Sequence, residues 1–361
     1  MLLSCQRLCK HVKGPPWELK VPKDPLRRRQ ALTKRAVGDT RASSRYRLPM
    51  TSEIASTPFE PESLSRSLVK LRAVIPDDAF TAGILGSERV GNGVVIDADG
   101  LVLTIGYLIT EATDVWLTES SGRQVAAHAL AYDQVTGFGL VVPLEKLDLP
   151  ALPLGASAEL RTGSRGVVLS YREFAKPLAV QILACHEFAG AWEYLLDNAI
   201  FTVPAHPHWS GAALIDERGG LVGIGSLMVR EVVTGEETNA NMFVPIDLLK
   251  PILGDLMRLG RAAHQPRPWL GVYAVELRGK VYVTGVADGS PAQHADIREG
   301  DLISHVADHA VGSLAEFYRR LWALGPANIG VPLRTLRGGT RLNLTVRSVD
   351  RTDLLKRPQG H

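Results

Sequence analysis

Short apolar runs separated by turn residues are the feature that most limits how this chain can fold. Between residues 68 and 244 such runs follow one another closely, with Asp99 and Gly100 between the first two. The runs include residues 94–96, 101–104, 166–169, 178–182 and 221–224. Runs of this kind are typical of strands in an all-β sandwich or barrel. Helical periodicity is absent between them, which argues against an α/β fold.

The spacing of apolar residues changes after the last of these runs. Within residues 247–259, apolar residues recur at helical intervals, which predicts a helix. Asp247 is placed as its N-cap, and Gly260 is expected to end it. Later, short strand-like runs surround one helix predicted near residues 313–324. The predicted parts are a basic N-terminal extension with a linker (1–66), a β-rich domain (67–260), a linker (261–267), a small α+β domain (268–350) and a C-terminal tail (351–361).

Charge is distributed unevenly along the chain. Of its 41 Lys and Arg and 38 Asp and Glu residues, 13 basic and 3 acidic residues lie within residues 1–49, which leaves 28 basic and 35 acidic residues for the rest. The predicted globular part is therefore mildly acidic. Because a nucleic-acid-binding surface requires clustered Lys and Arg, the sequence predicts no nucleic-acid partner.

The basic N-terminal segment does not resemble a secretory signal, because polar residues follow Leu2 and Leu3 at once and leave no apolar core. Three interpretations stay open: an organellar transit peptide, a disordered extension, or an upstream start codon in place of Met50. No apolar stretch approaches the roughly 18 residues of a transmembrane helix. We therefore expect a cytoplasmic location and no membrane partner.

Five segments occur in an order that resembles the peptidase domain of HtrA/DegP-type serine proteases. Residues 91–104 (GNGVVIDADGLVLT) resemble the hairpin that leads to the catalytic histidine of that family, and residues 132–140 (YDQVTGFGL) resemble the segment of its catalytic aspartate. The others are residues 152–163 at the link into a second barrel, 209–211 at the nucleophile loop and 241–245 at the closing strand. The resemblance implies a mainly β protein with a trypsin-like double β-barrel.

The resemblance assigns the catalytic triad to three positions, only one of which keeps its residue type. The histidine position falls on Tyr107, the aspartate position on Gly137 and the nucleophile position on Ser210. A tyrosine is protonated at neutral pH and makes a poor general base. Glycine has no side chain with which to orient a base. A serine hydroxyl without an adjacent base is a weak nucleophile, so the sequence predicts an inactive triad.

The loop before Ser210 also departs from the family pattern. The family has a glycine two residues before the serine, whereas this chain has His208, followed by Trp209. Glycine permits backbone conformations that most residues resist. The sequence therefore predicts that the oxyanion loop formed by His208, Trp209 and Ser210 is distorted.

Other side chains near the nucleophile offer a replacement base only under strict geometry. His206 and His208 are close to Ser210 in sequence, but a base must meet its nucleophile at hydrogen-bond distance. No third metal ligand accompanies these two histidines. Cys185 and His186 are adjacent on a predicted strand, where neighbouring side chains point to opposite faces. The sequence predicts neither a metal nor a cofactor.

Two motifs near the C-terminus resemble a PDZ domain. Residues 269–272 (WLGV) resemble its carboxylate-binding loop, and residues 289–292 (GSPA) with 295–303 (ADIREGDLI) resemble its second signature. Backbone N–H groups of such a loop receive the terminal carboxylate of a peptide, whose strand pairs with the sheet edge. Trp269 is either a groove residue or a packing residue. The resemblance assigns peptide binding to Trp269, Leu270, Gly271, Val272, Phe317 and Leu321.

Three functions follow from this reading. The favoured one is a pseudoprotease that binds extended or C-terminal peptides through the PDZ groove, as an adaptor, chaperone-like binder or regulator. The alternatives are an active serine endopeptidase that uses Ser210 with an unconventional base, and a regulatory subunit of an active relative. Fold alone does not decide among them. The expected partners are peptides, unfolded protein segments and C-terminal carboxylates, and the resemblance suggests a homotrimer.

Overall fold

Alternating buried and exposed side chains build the first barrel. The structure, a computed structural model, describes residues 59–233 and 236–356. On the first strand, Leu71 and Ala73 are buried and Arg72 between them is exposed. The elements are α1 (Pro61–Leu64), β1 (Leu68–Val74), α2 (Ala82–Leu85), β2 (Glu88–Val95), β3 (Val102–Ile105), β4 (Asp114–Thr118), β5 (Gln124–Tyr132) and β6 (Phe138–Pro143). The strands close in the order β1-β2-β3-β6-β5-β4, which confirms the predicted barrel.

Six further strands close a second barrel. They are β7 (Arg165–Leu169), β8 (Leu178–Gly190), β9 (Tyr194–Val203), β10 (Ala213–Ile215), β11 (Leu221–Val233) and β12 (Glu236–Pro245), in the order β10-β11-β12-β9-β8-β7. Strands β8 and β9 form a long hairpin whose last pair is Gly190 with Tyr194. One hydrophobic cluster contains Phe138 of the first barrel and Met242 of the second. The two barrels therefore share a core.

The helix predicted over residues 247–259 is divided in two. A 3-10 helix (Ile246–Leu248) comes first, and helix α3 (Leu253–Leu259) follows and ends at Gly260, whose φ of 68° is left-handed. Gly260 is thus the predicted stop, as is common for glycine after a helix. Asp247 does not cap α3, because its carboxylate accepts a hydrogen bond from the Ala158 backbone N–H (2.7 Å).

Six strands and two helices form the third domain. Its elements are β13 (Val272–Glu276), β14 (Val281–Val286), α4 (Pro291–His294), β15 (Leu302–Val306), β16 (His309–Ala310), α5 (Leu314–Ala323), β17 (Gly330–Arg337) and β18 (Thr340–Arg347). The sheet order is β13-β14-β15-β17-β18, and β16 pairs with β15. Ser313 Oγ caps α5 by accepting from the Glu316 N–H (3.0 Å), and the predicted helix is confirmed.

The ends of the described chain pack against the barrels. The linker predicted up to residue 66 is shorter than expected, because α1 and a 3-10 helix (Ser65–Ser67) form there with Pro61 buried. Within the predicted C-terminal tail, a 3-10 helix (Arg351–Leu354) precedes Lys356, whose N–H donates to Glu111 Oε1 (2.9 Å). The predictions made for residues 1–58 and 357–361 lie outside the described residues. No helix in the described ranges is both long and apolar enough to span a membrane.

We expect the shared core to dominate the stability of the two barrels. Leu103 is fully buried, whereas Leu144 is 66% exposed. Leu103→Ala should lower the free energy of unfolding by about 2–5 kcal/mol, because it removes contacts and leaves a cavity. The same change at Leu144 should stay within about 0.5 kcal/mol. Urea unfolding followed by circular dichroism measures both, and equal effects would contradict the placement of the core.

Candidate functional site

Ser210 lies in the turn between β9 and β10 and is held by Asn92 of the first barrel. The Asn92 side chain donates through Nδ2 to the backbone oxygens of Ser210 (2.9 Å) and His208 (3.0 Å). The Asn92 backbone N–H also donates to Ser210 O (2.8 Å). Asn92 Oδ1 accepts from the Tyr171 N–H (2.7 Å). One buried amide thus uses its hydrogen-bonding capacity to fix the nucleophile loop between the barrels.

Tyr107 meets Ser210 at hydrogen-bond distance. It lies on the 3-10 helix (Gly106–Leu108) that follows β3, and its Oη is 2.8 Å from Ser210 Oγ and 2.9 Å from Ser226 O. A phenol has one proton, and a carbonyl oxygen only accepts. Both contacts are therefore satisfied together when Tyr107 donates to Ser226 and accepts from the Ser210 hydroxyl.

The phenol beside Ser210 is held in its protonated form. Burial raises the pKa of Tyr107 well above its ordinary value, and the hydrogen bond to Ser210 opposes this only in part. A general base must accept a proton at the working pH. A neutral phenol cannot take the Ser210 proton, so this contact orients the serine hydroxyl without activating it.

Gly137, at the predicted aspartate position, is surrounded by the side chain of Tyr194. Its φ is 85°, in the left-handed region that side chains rarely adopt. A Cβ at this position would lie 3.0 Å from Tyr194 Oη, which donates to Thr136 O (2.6 Å). The backbone carbonyl of Gly137 accepts from the Gly106 N–H (2.7 Å). The predicted aspartate position is thus occupied by the backbone of Gly137 and the phenol of Tyr194, and it has no carboxylate.

The carboxylate that comes shortly before Gly137 in sequence has other partners. Asp133 accepts hydrogen bonds from His264 Nε2 (2.8 Å) and from the Thr136 N–H (2.8 Å) and hydroxyl (2.7 Å). Burial acts to raise the pKa of Asp133, but these hydrogen bonds outweigh burial and leave it below its usual range. A hydrogen bond between Asp133 and His264 therefore joins the residue after β5 to the segment before the third domain.

His206 and His208 point into the loop and away from the serine hydroxyl. His206 Nδ1 accepts from the His208 N–H (3.0 Å), and its Nε2 lies 3.4 Å from Ser170 Oγ. Burial, and next the neighbouring His208, lower the pKa of His206 to about 4. The ring of His208 stacks on Phe174 with centroids 5.1 Å apart. Among the described residues, no histidine hydrogen-bonds to Ser210 Oγ.

The oxyanion loop keeps an ordinary backbone at the position where the family has glycine. His208 is not among the described non-glycine residues with positive φ, whereas Gly211 has a φ of 72°. The His208 carbonyl is held by Asn92 Nδ2 (3.0 Å). The Gly211 N–H donates to Gly225 O (2.9 Å), so this donor is also committed within the second barrel.

The loop predicted to bind carboxylates holds a carboxylate of the chain itself. The backbone N–H groups of Leu270, Gly271 and Val272 all donate to Glu193, at 3.1, 2.7 and 3.1 Å from Oε1. Gly271 has a φ of 84°, and a Cβ there would lie 2.3 Å from Ser290 Cβ. Glycine is therefore required for the loop to turn these three donors toward one anion.

Glu193 is buried and constrained at the tip of the β8–β9 hairpin. It is 4% exposed, and its φ of 59° is uncommon for a residue with a side chain, at a cost of about 1–3 kcal/mol. Burial raises the pKa of Glu193 to about 7, although the N–H groups of Leu270, Val272 and Gly271 oppose this shift. Each charge-assisted hydrogen bond contributes about 1.5–3 kcal/mol, which offsets the strain.

The backbone of the same hairpin tip pairs with the walls of the groove. On one wall, the Ala274 N–H of β13 donates to Ala191 O (3.0 Å). On the other, the Tyr318 hydroxyl of α5 donates to Gly190 O (2.7 Å) and accepts from the Glu193 N–H (3.2 Å). Residues 190–193 thus lie between β13 and α5 and are bonded to both.

The remaining predicted groove residues are buried in this arrangement. Trp269 is 6% exposed and packs edge-on against Phe80, with ring centroids 5.8 Å apart, which makes it a packing residue. Phe317 and Leu321 are fully buried in the core of the third domain, against which Leu195 of the hairpin also packs. Neither side chain offers a free surface to an incoming peptide here.

Sequence reasoning did not find Glu193 or Tyr194, and it placed Tyr318 only in the apolar stripe of the predicted helix. The side chain of each residue forms a hydrogen bond with a residue more than 50 positions away in sequence. A local sequence motif does not indicate such a contact. A single glutamate in a hairpin turn is ordinary, and the surrounding aromatic residues indicate only a strand. The available signal was the hairpin tip itself, with Trp192 and Tyr194 on either side of one acidic residue.

The described residues contain no cluster of metal-ligating side chains. Across residues 59–233 and 236–356, no three His, Cys, Asp or Glu side chains are grouped so as to hold a metal ion. Cys185 is half-buried beside the core of the second barrel, and burial raises the pKa of its thiol. His186 stacks on Phe201 with centroids 4.2 Å apart, so the two neighbours have separate environments.

Comparison with known proteins agrees with this architecture. Residues 91–224 match a trypsin-like peptidase domain, and residues 268–347 match a PDZ domain. The serine protease HhoA of Synechocystis, which is described as putative, is 26% identical over 82% of this chain and 77% of its own length. The periplasmic serine endoprotease DegP of Escherichia coli is 24% identical over 71% of this chain and 56% of its own. The chain thus spans little more than half of DegP.

The solved structures give the same fold. The HtrA-type protease AlgW with a decapeptide has a TM-score of 0.50 at 19% identity, covering 82% of this chain and 98% of that one. Fold and site therefore define a trypsin-like double barrel joined to a PDZ domain. This is the HtrA-type architecture, with one PDZ domain, and the resemblance in the sequence is confirmed.

The expected cytoplasmic location is wrong. Several relatives, from Hahella chejuensis, Pseudomonas fluorescens and Escherichia coli, are named periplasmic serine endoproteases. These relatives point to a location outside the cytoplasm. The absence of a visible export signal in residues 1–66 was the ground for the earlier expectation, and it does not carry that conclusion.

Restoring the two missing triad residues should not restore catalysis. In Tyr107→His with Gly137→Asp, the aspartate would have a left-handed backbone and a Cβ 3.0 Å from the Tyr194 hydroxyl. We expect no hydrolysis of fluorescent casein by this variant. Adding Tyr194→Phe removes the hydroxyl, so that the atom nearest to the new Cβ at position 137 is the ring Cζ, at 3.5 Å. Any restored hydrolysis should therefore appear in the triple variant. Hydrolysis by the double variant as fast as by the triple variant would contradict the role assigned to the Tyr194 hydroxyl.

Proposed function

We propose that this protein is an HtrA-type pseudoprotease that captures peptides in its PDZ groove, with C-terminal carboxylates as the preferred anchor. The trypsin-like peptidase domain and the PDZ domain together support a peptide-binding function within the protease family. The proposal adds that the peptidase domain of this chain does not hydrolyse what it meets. It rests chiefly on the contact of the Tyr107 phenol with Ser210 (2.8 Å).

The missing activity follows from the proton that a serine protease must move. The serine hydroxyl loses its proton to a base as it attacks the substrate, and a third group orients the base. Tyr107 stands in for the base but already carries a proton, and Gly137 stands in for the orienting residue without a side chain. Even an intact oxyanion hole leaves only about 10³–10⁴-fold acceleration over water without a triad.

Peptide capture has support from the PDZ loop itself. Three backbone N–H groups converge on one carboxylate there, which is the chemistry needed for a chain end. The edge strand β13 pairs its Ala274 N–H with the backbone carbonyl of Ala191, which is the kind of contact that an added peptide strand makes. The AlgW structures with bound peptides belong to proteins of the same architecture. A homotrimer, suggested by the resemblance, stays a prediction.

An active endopeptidase is the alternative, because Ser210 is retained and the relatives are named serine proteases. That function needs a base that reaches Ser210 Oγ. The candidates His206 and His208 are bonded or stacked elsewhere in the loop. For this reason the pseudoprotease is the better-supported proposal.

The two functions are separated by the reactivity of Ser210. Wild type and Ser210→Ala should leave the same background in casein hydrolysis, because the Ser210 proton has no acceptor. A fluorophosphonate probe, which reacts with activated serines, should add no mass to wild-type protein in an intact-mass measurement. Labelling of wild type that Ser210→Ala abolishes would overturn the pseudoprotease proposal. Trypsin labelled in the same buffer serves as the positive control.

A further inference from the structure

We propose that Glu193 is an intrachain ligand that closes the PDZ groove, and that a chain end with a free carboxylate opens the groove by replacing it. The inference rests on the peptide-binding function proposed above and adds its regulation. The group to be displaced is a carboxylate, so the ligand that competes for the same site is a peptide with a free C-terminal carboxylate.

The contacts of Glu193 are those expected of a bound chain end. Its carboxylate accepts three N–H bonds from consecutive residues, Leu270 to Val272, with the shortest at 2.7 Å. Consecutive backbone donors in such a turn form a concave site for an anion. One site of this size accommodates one carboxylate, so Glu193 and a peptide terminus exclude each other.

The backbone before Glu193 also takes the place of a peptide. Ala191 O accepts from the Ala274 N–H of β13 (3.0 Å), as a strand added to a sheet edge does. Gly190 O accepts from the Tyr318 hydroxyl on the opposite wall (2.7 Å). Carboxylate, edge pairing and helix contact therefore come from one continuous segment of residues 190–193.

The closed arrangement can be displaced. Glu193 has a left-handed backbone and is nearly excluded from solvent, and both conditions oppose the contact. A free chain end has neither the left-handed turn nor the hairpin attached to it. The ion pairs of Arg319 with Glu187 and Asp197, which also join the hairpin to α5, are exposed, and exposed pairs contribute little. The carboxylate contact is thus the main polar contact to be exchanged.

Removing the Glu193 carboxylate should tighten peptide binding. When the binding-competent state is a fraction of the population, the apparent Kd rises by the inverse of that fraction. We expect Glu193→Ala to lower the apparent Kd of a free-acid peptide by about tenfold or more, and Glu193→Gln to lower it less. The probe is a fluorescein-labelled decapeptide selected on Glu193→Ala from a random library with free C-termini, and the readout is fluorescence anisotropy on the full chain.

Two controls make the gain specific. Glu217→Ala removes an exposed glutamate from the β10–β11 turn of the same barrel, and its Kd should equal that of wild type. The same decapeptide with an amidated C-terminus should bind Glu193→Ala more weakly than the free acid, because it lacks the anchoring charge. A variant that failed to fold would lose binding, so tighter binding cannot come from unfolding.

The outcomes separate the inference from the function beneath it. If wild type and Glu193→Ala bind the free-acid peptide equally, the groove is not closed by Glu193, and peptide capture still stands. If selection yields no peptide for either protein, the peptide-capture function fails, and the inference fails with it. Equal binding of the free acid and the amide by Glu193→Ala would overturn carboxylate replacement as the opening event.

Discussion

The carboxylate of Glu193 in the loop from Leu270 to Val272 is one of the buried contacts that join the peptidase-like barrels to the PDZ domain. Three backbone donors converge on it inside a nearly solvent-free site. The next residue, Tyr194, turns into the first barrel and fills the space beside Gly137. Tyr194 is the first residue of β9, whereas Glu193 is the last residue of the turn before it and has a left-handed backbone. One hairpin tip therefore serves both candidate sites, with one residue directed at each.

At the serine, a small set of hydrogen bonds holds the hydroxyl and the loop around it. Ser210 Oγ meets a half-buried phenol, which donates its hydrogen bond to Ser226 O. Asn92 holds the loop backbone through Nδ2, while its Oδ1 accepts from the Tyr171 N–H outside that loop. These hydrogen bonds stabilise the loop, and among the described residues no carboxylate or histidine is hydrogen-bonded to Ser210 Oγ. In the function proposed above, the arrangement that stabilises the loop also leaves Ser210 without a base.

Much of the fold could be predicted because it depends on local pattern. Short alternating runs specify strands such as β1, and the helical stripe with Ser313 specifies α5. Local pattern could not show that the helix over residues 247–259 is divided, because Asp247 bonds to Ala158, which is distant in sequence. The family resemblance placed Tyr107 and Ser210 at two positions of one catalytic triad. The distance of 2.8 Å between Tyr107 Oη and Ser210 Oγ agrees with that placement.

The contact of Glu193 was beyond sequence reasoning for a physical reason. It joins a turn of the second barrel to a loop almost 80 residues later, and only the packing of two domains decides which acidic residue reaches that loop. The WLGV motif correctly indicated donors for a carboxylate. It could not indicate that the carboxylate would come from the same chain.

Amide hydrogen exchange of the loop from Leu270 to Val272, in the full chain without any peptide, tests the central claim most directly. If Glu193 occupies the groove, these amides are protected in wild type, because their N–H groups are hydrogen-bonded and buried. In Glu193→Ala they should exchange at least about tenfold faster, while amides of β17 and β18 keep their rates. Fast exchange in ligand-free wild type, at the rate of the variant, would contradict the account.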